Sequence, residues 1–463
     1  MDPRCNSGDV TEPDDRDALL DLAARHAKDY LDGVGDRPVP PASGTDDLLA
    51  AFAQPLGTTG RDPRQVIEDL VANAEPGLTA MSSPRFFGFV IGGTYPVALA
   101  ADWLTGAWDQ NVGLREVTPA HSAAREAVEG WLTGLLGLPE GTTMGTVTGG
   151  LMANFTGLAA GRHAVLARAG WDVEASGLQG APRVRVLVGE ERHDTVDLAL
   201  RYLGLGEPEA VPADDQGRIR VDALADALTD EPTILALQAG NVHSGAFDDF
   251  AAAIPLAHEH DAWVHIDGAF GLWAAASPRT RHLVAGFEAA DSWATDAHKT
   301  LNVPYDSGLA FVANSTAHRA ALGIHAPYLI HSKGAPDPME LGPEFSQRGR
   351  AFPLWAALQY LGRDGVAELV DRMVHHARTF ADGVRAMGGE VLNDVVFTQV
   401  CTAWGDDAKT AEVERRLLAD GTAWMTGSTW RGRKVLRIAV SNHATTDSDV
   451  ERALQALEVA ANG

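Results

Sequence analysis

The sequence predicts an α/β protein built on a large, mostly parallel sheet, with a smaller α+β lobe at its C-terminus. Apolar runs of strand length recur at Val184–Val188, Ile234–Leu237, Trp263–Ile266 and Leu309–Val312. Helical patterns lie between them, as at Val221–Leu228 and Phe247–His258, and this alternation is the mark of βαβ units. From about Gly349 the pattern changes. One long helical stretch runs to Met387, a few strands follow, and a closing helix begins near Asp447.

Ahead of the alternating region, Asp17–Leu31 reads as a helix that the proline-rich stretch Arg37–Ala42 breaks. The expected division is a helical segment over residues 1–80, a large α/β domain over 81–348 and a small α+β domain over 349–463. A chain of 463 residues, 45% of them hydrophobic, can bury more than one core. No apolar run approaches the roughly 18–20 residues of a membrane span. The polar, acidic start from Met1 to Asp21 lacks the basic-then-apolar pattern of a signal peptide. Cys5 and Cys401 cannot make a disulfide framework and no Cys/His zinc spacing exists, so no metal is expected and a cytoplasmic location is. A formal net charge of -26 argues against nucleic acid and anionic membranes, which both demand a basic face. What remains is an enzyme acting on small molecules.

Four local features carry chemistry. Lys299, in Asp291-Ser-Trp-Ala-Thr-Asp-Ala-His-Lys-Thr-Leu-Asn302, is the only lysine between Lys28 and Lys333 and follows a strand and turn. Alone it reads as a solvated lysine. A lysine near a sheet interior is otherwise costly, unless a Schiff base occupies it. Asp267 closes the strand of Trp263-Val-His-Ile-Asp-Gly-Ala269, at the edge where open α/β sheets bind ligands. It could simply cap a helix. It could equally support the pyridine nitrogen of pyridoxal 5′-phosphate (PLP), whose protonated ring accepts electrons from a breaking bond. Gly145-Thr-Val-Thr-Gly-Gly-Leu-Met-Ala-Asn154 is a glycine-rich turn opening a helix, a form suited to phosphate and common in ordinary loops. Thr148, Gly149 and Gly150 are its candidate phosphate contacts. His193 follows the Val184–Val188 strand, where an imidazole could stack on a flat ring or be structural.

Together these features resemble the group II PLP-dependent decarboxylases, the family of aromatic-amino-acid, glutamate and related decarboxylases. The similarity runs over nearly the whole chain. It starts at His26-Ala-Lys-Asp-Tyr-Leu-Asp32 and Arg37-Pro-Val-Pro-Pro41, and continues through Ser83-Pro-Arg-Phe-Phe-Gly-Phe89 and Thr118-Pro-Ala120. The most specific match is Asp296-Ala-His-Lys-Thr-Leu-Asn-Val-Pro-Tyr-Asp-Ser-Gly308, and the last is Leu436-Arg-Ile-Ala-Val-Ser-Asn442.

The resemblance implies PLP-transferase fold type I with a seven-stranded large sheet. It implies an obligate homodimer with active sites at the interface. Lys299 would carry the cofactor and Asp267 would face its pyridine nitrogen. His193 would stack on one face of the ring with Ala269 against the other, while Thr148, Gly149, Gly150 and His298 hold the phosphate. The turn Asn241-Val-His-Ser244 would lie near the phenolic oxygen. Arg437 would meet a substrate carboxylate, with pairing inside the small lobe as its alternative, and Phe89 and Val90 would face the substrate side chain. The implied reaction is decarboxylation of an L-amino acid to an amine.

This chain departs from the family in places. Thr300 stands where an aromatic residue often follows the lysine. Phe89 and Val90, followed by Ile91-Gly-Gly93, stand where aromatic-acid decarboxylases place aromatic residues. The loop Leu329-Ile-His-Ser-Lys-Gly-Ala-Pro-Asp-Pro-Met-Glu340 has no tyrosine within it, the nearest being Tyr328, so His331 is the expected proton donor. Other outcomes on the same scaffold are carbon–carbon lyase or aldolase action, decarboxylation with oxidative deamination, and transamination. A non-catalytic PLP-binding protein is the alternative from another class. The turn His258-Glu-His-Asp261 and the pair His375-His376 are expected to be solvated.

Overall fold

The computed structural model describes residues 13–324 and 335–463. The first strand, β1 (Phe86–Phe87), belongs to a small sheet. The next seven form a large one: β2 (Thr143–Val147), β3 (Arg185–Gly189), β4 (Glu209–Val211), β5 (Thr233–Gln238), β6 (Trp263–Asp267), β7 (Ser292–Asp296) and β8 (Gly308–Val312). The small sheet is completed by β9 (Glu390–Val391), β10 (Gln399–Ala403), β11 (Trp424–Trp430) and β12 (Arg433–Ala439).

The large sheet has the order β2-β8-β7-β6-β5-β3-β4. Only β8 runs against its neighbours β2 and β7; the other pairings are parallel. Every residue of β2, β6, β7 and β8 is buried, as expected of strands covered on both faces. Helix Gly150–Arg168 packs over β6, β7 and β8. The large aromatics below the sheet edge are satisfied as well as buried. Trp293 Nε1 donates to Phe287 O at 3.0 Å, and Trp273 Nε1 to Asp296 O at 3.1 Å. The second bond pins the backbone at the end of β7.

The small sheet runs β1-β11-β12-β10-β9, with β1 parallel to β11. Phe86 and Phe87 thus tie the stretch before the large sheet to the C-terminal lobe. The long helical stretch after Gly349 is helix Ala351–Ala386, but it divides at Gly362, whose φ of 61° is outside helical geometry. No helix among the described residues is long and apolar enough to cross a membrane.

Among the histidines expected at the surface, His258 and His260 pair with Asp291 and Asp230 at 3.2 and 3.0 Å. His375 is exposed. His376 is not: it is buried and bonds Asp447 at 3.0 Å, because its side of the long helix faces the start of helix Asp447–Asn462.

Two histidines are fully buried, one on the large sheet and one on helix Ser315–Leu322 that follows β8. His318 lies between Thr143 Oγ1 (2.8 Å) and Leu341 O (3.2 Å), and His265 lies on β6. Burial lowers both to about 4. Their folded values lie below the unfolded one, so the stability they contribute is present above about pH 6.5 and lost as pH falls toward 4. At pH 5 each is expected to subtract about 2 kcal/mol. Denaturant unfolding at pH 7.5 and pH 5.0 checks this; equal stability at both would contradict it.

Candidate active site

The parallel strands β5, β6 and β7 end along one edge of the large sheet. Gln238 pairs with Asp267 in register, and Asp267 with Ala294. The first helical turn after β2 faces the same edge, and residues of the small lobe close it from above. A cleft of about 570 Å³ results. The sequence-predicted residues Thr148, Gly149, Gly150, His193, Asp267, Ala269, His298, Lys299, Phe89, Val90 and Arg437 all line it. His331 and Tyr328 lie outside the described residues.

Lys299 Nζ lies 2.9 Å from Asp296 Oδ2, a carboxylate almost fully buried at the end of β7. The other oxygen, Oδ1, lies 3.6 Å from His298 Nε2 and has no hydrogen-bond partner. Asp296 was quoted in the sequence motif but given no role there. His298 is fixed at both faces of its chemistry: Ser307 N donates to Nδ1 at 3.0 Å, and Tyr305 stacks on the ring at 4.2 Å. Burial lowers its pKa, so the neutral ring presents Nε2–H.

Asp267 is buried and acceptor-only on its two bonded sides. Ala269 N reaches Oδ1 at 3.2 Å, and Asn154 Nδ2 reaches Oδ2 at 3.1 Å. Asn154 escaped the sequence reading because it looks like one polar residue in an apolar helix; its spacing of one turn from Gly150 is the signal available. His193 caps helix Asp194–Tyr202, its Nδ1 accepting from Thr195 N at 3.2 Å and bonding Thr195 Oγ1 at 2.9 Å. Its structural and its cleft-lining readings are therefore both realised in position. In the turn Asn241-Val-His-Ser244, Val242 lines the cleft. His243 turns away, to Ser428 Oγ at 2.9 Å and the Trp430 ring.

Arg437, on β12, is buried at the cleft. Its Nη2 bonds Phe89 O at 3.3 Å and Gln399 Oε1 at 3.4 Å, and Nε has no partner. It makes no ion pair among the described residues. Burial lowers its guanidinium pKa to about 10, so it remains a cation at neutral pH.

The glycine turn is shaped by absent side chains. A Cβ on Gly150 would lie 3.0 Å from Asp296 Oδ2, one on Gly149 3.2 Å from His298 Cε1, and one on Gly308 2.5 Å from Gly149 Cα. The bare turn leaves N–H groups at the start of helix Gly150–Arg168 open to an anion. The profile of the pyridoxal-dependent decarboxylase conserved domain matches residues 49–403. The chain belongs to that family.

Several relatives match over nine tenths or more of their length. An aromatic-L-amino-acid decarboxylase of Bacillus atrophaeus is 25% identical over 455 residues, covering 91% of this chain and 90% of that one. Among solved structures, Oryza sativa TDC with PLP and tryptamine superposes with a TM-score of 0.91 at 23% identity, covering 98% and 99% of the two chains. Rhodiola rosea 4-hydroxyphenylacetaldehyde synthase superposes with a TM-score of 0.88 at 19% identity, covering the same shares. The fold is PLP-enzyme fold type I, and the cofactor of this decarboxylase family is pyridoxal 5′-phosphate. The cleft's donor set suits that molecule: helix-start N–H groups for a phosphate, a buried carboxylate for a ring nitrogen, and a lysine for an aldehyde.

Proposed function

We propose that the protein decarboxylates an L-amino acid to the corresponding amine. The observation that carries this reading is the meeting in one cleft of Lys299, Asp267 and a buried Arg437 that makes no ion pair among the described residues. Pyridoxal phosphate, when bound, supplies an aldehyde that condenses with amines and a ring that takes up electrons from a bond broken at Cα.

Thr148, Gly149, Gly150 and His298 would hold the phosphate, and Asp267 would face the ring nitrogen. His193 would cover one face of the ring and Ala269 the other. Lys299 would supply the amine that anchors the aldehyde, with Asp296 Oδ2, 2.9 Å from Nζ, placed to exchange a proton with it. Arg437 binds and orients the substrate carboxylate, and Phe89 and Val90 face the side chain. His331 is proposed to deliver the proton to the substrate carbon.

A second reading is decarboxylation with oxidative deamination, in which dioxygen and water turn the amino acid into an aldehyde, CO₂, ammonia and hydrogen peroxide. It is favoured by the fold shared with an aldehyde synthase and by the lack of a tyrosine inside the loop from Leu329 to Glu340. PLP-loaded protein, incubated with the common amino acids and close analogues, separates the readings by mass spectrometry. One amine per CO₂ supports the first; aldehyde with hydrogen peroxide supports the second; no CO₂ from any of them sinks both.

Arg437→Met should raise KM by about 10- to 1,000-fold, the scale of losing charge-assisted hydrogen bonds to a carboxylate. Steady-state kinetics with an amino acid and with its amide analogue check it. If the mutation leaves KM unchanged, the carboxylate is bound elsewhere.

A homodimer is also proposed, acting in the cytoplasm. Trp103, Leu104 and Trp108 on helix Pro96–Trp108, with Trp355 and Tyr360, expose large apolar side chains, a pattern typical of an interface.

A further inference from the structure

From Asp267 a chain of hydrogen bonds runs into the protein interior through groups that never touch the cleft. Trp263 Nε1 lies 3.0 Å from Ser292 Oγ, and Ser292 Oγ lies 2.8 Å from His265 Nδ1. His265 Nε2 lies 2.9 Å from Asn154 Oδ1, and Asn154 Nδ2 lies 3.1 Å from Asp267 Oδ2. Asn154, His265 and Ser292 are fully buried.

The direction of every bond follows from chemistry. An indole N–H can only donate, so Ser292 Oγ accepts from Trp263. At the other end Asn154 gives its amide NH₂ to the Asp267 carboxylate, so its carbonyl faces His265 and Nε2 carries the imidazole proton. Nδ1 is then the acceptor and takes the Ser292 hydroxyl proton. Burial holds His265 down at about 4, so the ring carries one proton and cannot donate both ways. At the far end, an ionised carboxylate can only accept. The acceptor-only carboxylate and a singly protonated His265 together leave Asn154, His265 and Ser292 a single arrangement, and the Trp263 N–H fits it by donating to the free lone pair of Ser292 Oγ. The reversed chain would set the Asn154 carbonyl against a carboxylate oxygen of Asp267, two acceptors facing each other.

The helix over this chain is cut to fit it. A Cβ on Gly157 would lie 2.5 Å from His265 Nδ1 and 3.1 Å from Ser292 Oγ, and one on Gly161 would lie 2.7 Å from Trp263 Cδ1. Side chains at either position would displace the relay.

We propose that Asn154, His265, Ser292 and Trp263 are positioning residues whose one-way hydrogen-bond chain holds the Asp267 carboxylate as an acceptor aimed at the cofactor's ring nitrogen. The inference rests on the reading of Asp267 as the partner of that nitrogen. Its consequence is that a hydroxyl three hydrogen bonds away from Asp267 sets the protonation of the ring.

The test uses the full protein loaded with PLP carrying ¹⁵N in the ring, whose NMR shift reports whether that nitrogen is protonated, together with the cofactor Kd. Wild type should show the protonated-ring shift. Asn154→Leu should move it toward the unprotonated value and raise Kd on the order of 10- to 100-fold, the effect of losing a hydrogen bond to a charged group. Ser292→Ala should move it part of the way, and Ser292→Thr, which keeps the hydroxyl, should restore it. A merely structural cluster would lower Tm and leave the ring shift alone. If Asn154→Leu does not fold, Ser292→Ala carries the test, since it removes one oxygen. Wild-type shift and a Kd within about twofold in folded Ser292→Ala overturn the relay. Asp267→Asn separates the two levels. If it moves the shift while the relay variants do not, the relay alone is wrong; if it too leaves the shift in place, the reading of Asp267 falls and takes the relay with it.

Discussion

Lys299→Ala is expected to lower turnover by at least about 10³-fold and to abolish covalent retention of the cofactor. Among the lysines of the described chain only Lys299 lines the cleft, so no neighbour can substitute for its amine. The change also strips the ammonium from Asp296, a buried carboxylate 2.9 Å away, and stability should fall with it. Lys299→Arg separates the two effects, because it keeps a cation near Asp296 but cannot form the carbon–nitrogen bond. Borohydride reduction of the wild-type holoenzyme followed by peptide mapping should place the cofactor's mass on the peptide containing Lys299. A label on any other lysine would falsify the assignment.

The second large effect is expected at Asp267. Asp267→Asn should retain PLP through its phosphate contacts while kcat drops by about 10³-fold, since the ring loses the anion that keeps its nitrogen protonated. Geometry adds to the loss. Both bonded oxygens face donors, Ala269 N and Asn154 Nδ2, so an asparagine must set its NH₂ against one of them. Pre-steady-state turnover at saturating cofactor distinguishes this from weak binding. A kcat within about tenfold of wild type would mean that another group supports the ring.

Much of the site could be read from the sequence because strand ends and glycine turns are local signals. Asp267 and His193 each follow an apolar run of strand length, Lys299 follows a strand and turn, and Thr148–Gly150 lie in a glycine-rich turn opening a helix; the large sheet delivers all of them to one edge. Residues defined by long-range contact were invisible. Asn154 reaches Asp267 across 113 positions, and nothing in an apolar helix marks which polar residue faces a strand. Asp296 was in view but unassigned, because a carboxylate two residues before a histidine and three before a lysine gives no sign of which one it bonds. The break of the long helix at Gly362 follows from a left-handed φ that a lone glycine permits but does not announce. His376 was misplaced at the surface because its neighbour His375 is exposed and one helical step separates outside from inside. The small sheet recruits Phe86–Phe87 from more than 300 residues away, a pairing no local pattern encodes.

That last pairing reaches into the cleft. Two residues after β1, the backbone carbonyl of Phe89 accepts from Arg437, and its N–H donates to Thr426 Oγ1 at 3.0 Å. The segment expected to read the substrate's side chain is therefore fastened, through its own main chain, to the arginine expected to read the carboxylate. The two recognition elements form one body, and changes at them should not add. A lineage that drifts at position 89 toward a new amino acid must carry its grip on the carboxylate along, so new specificities are most accessible through paired substitutions at positions 89 and 437.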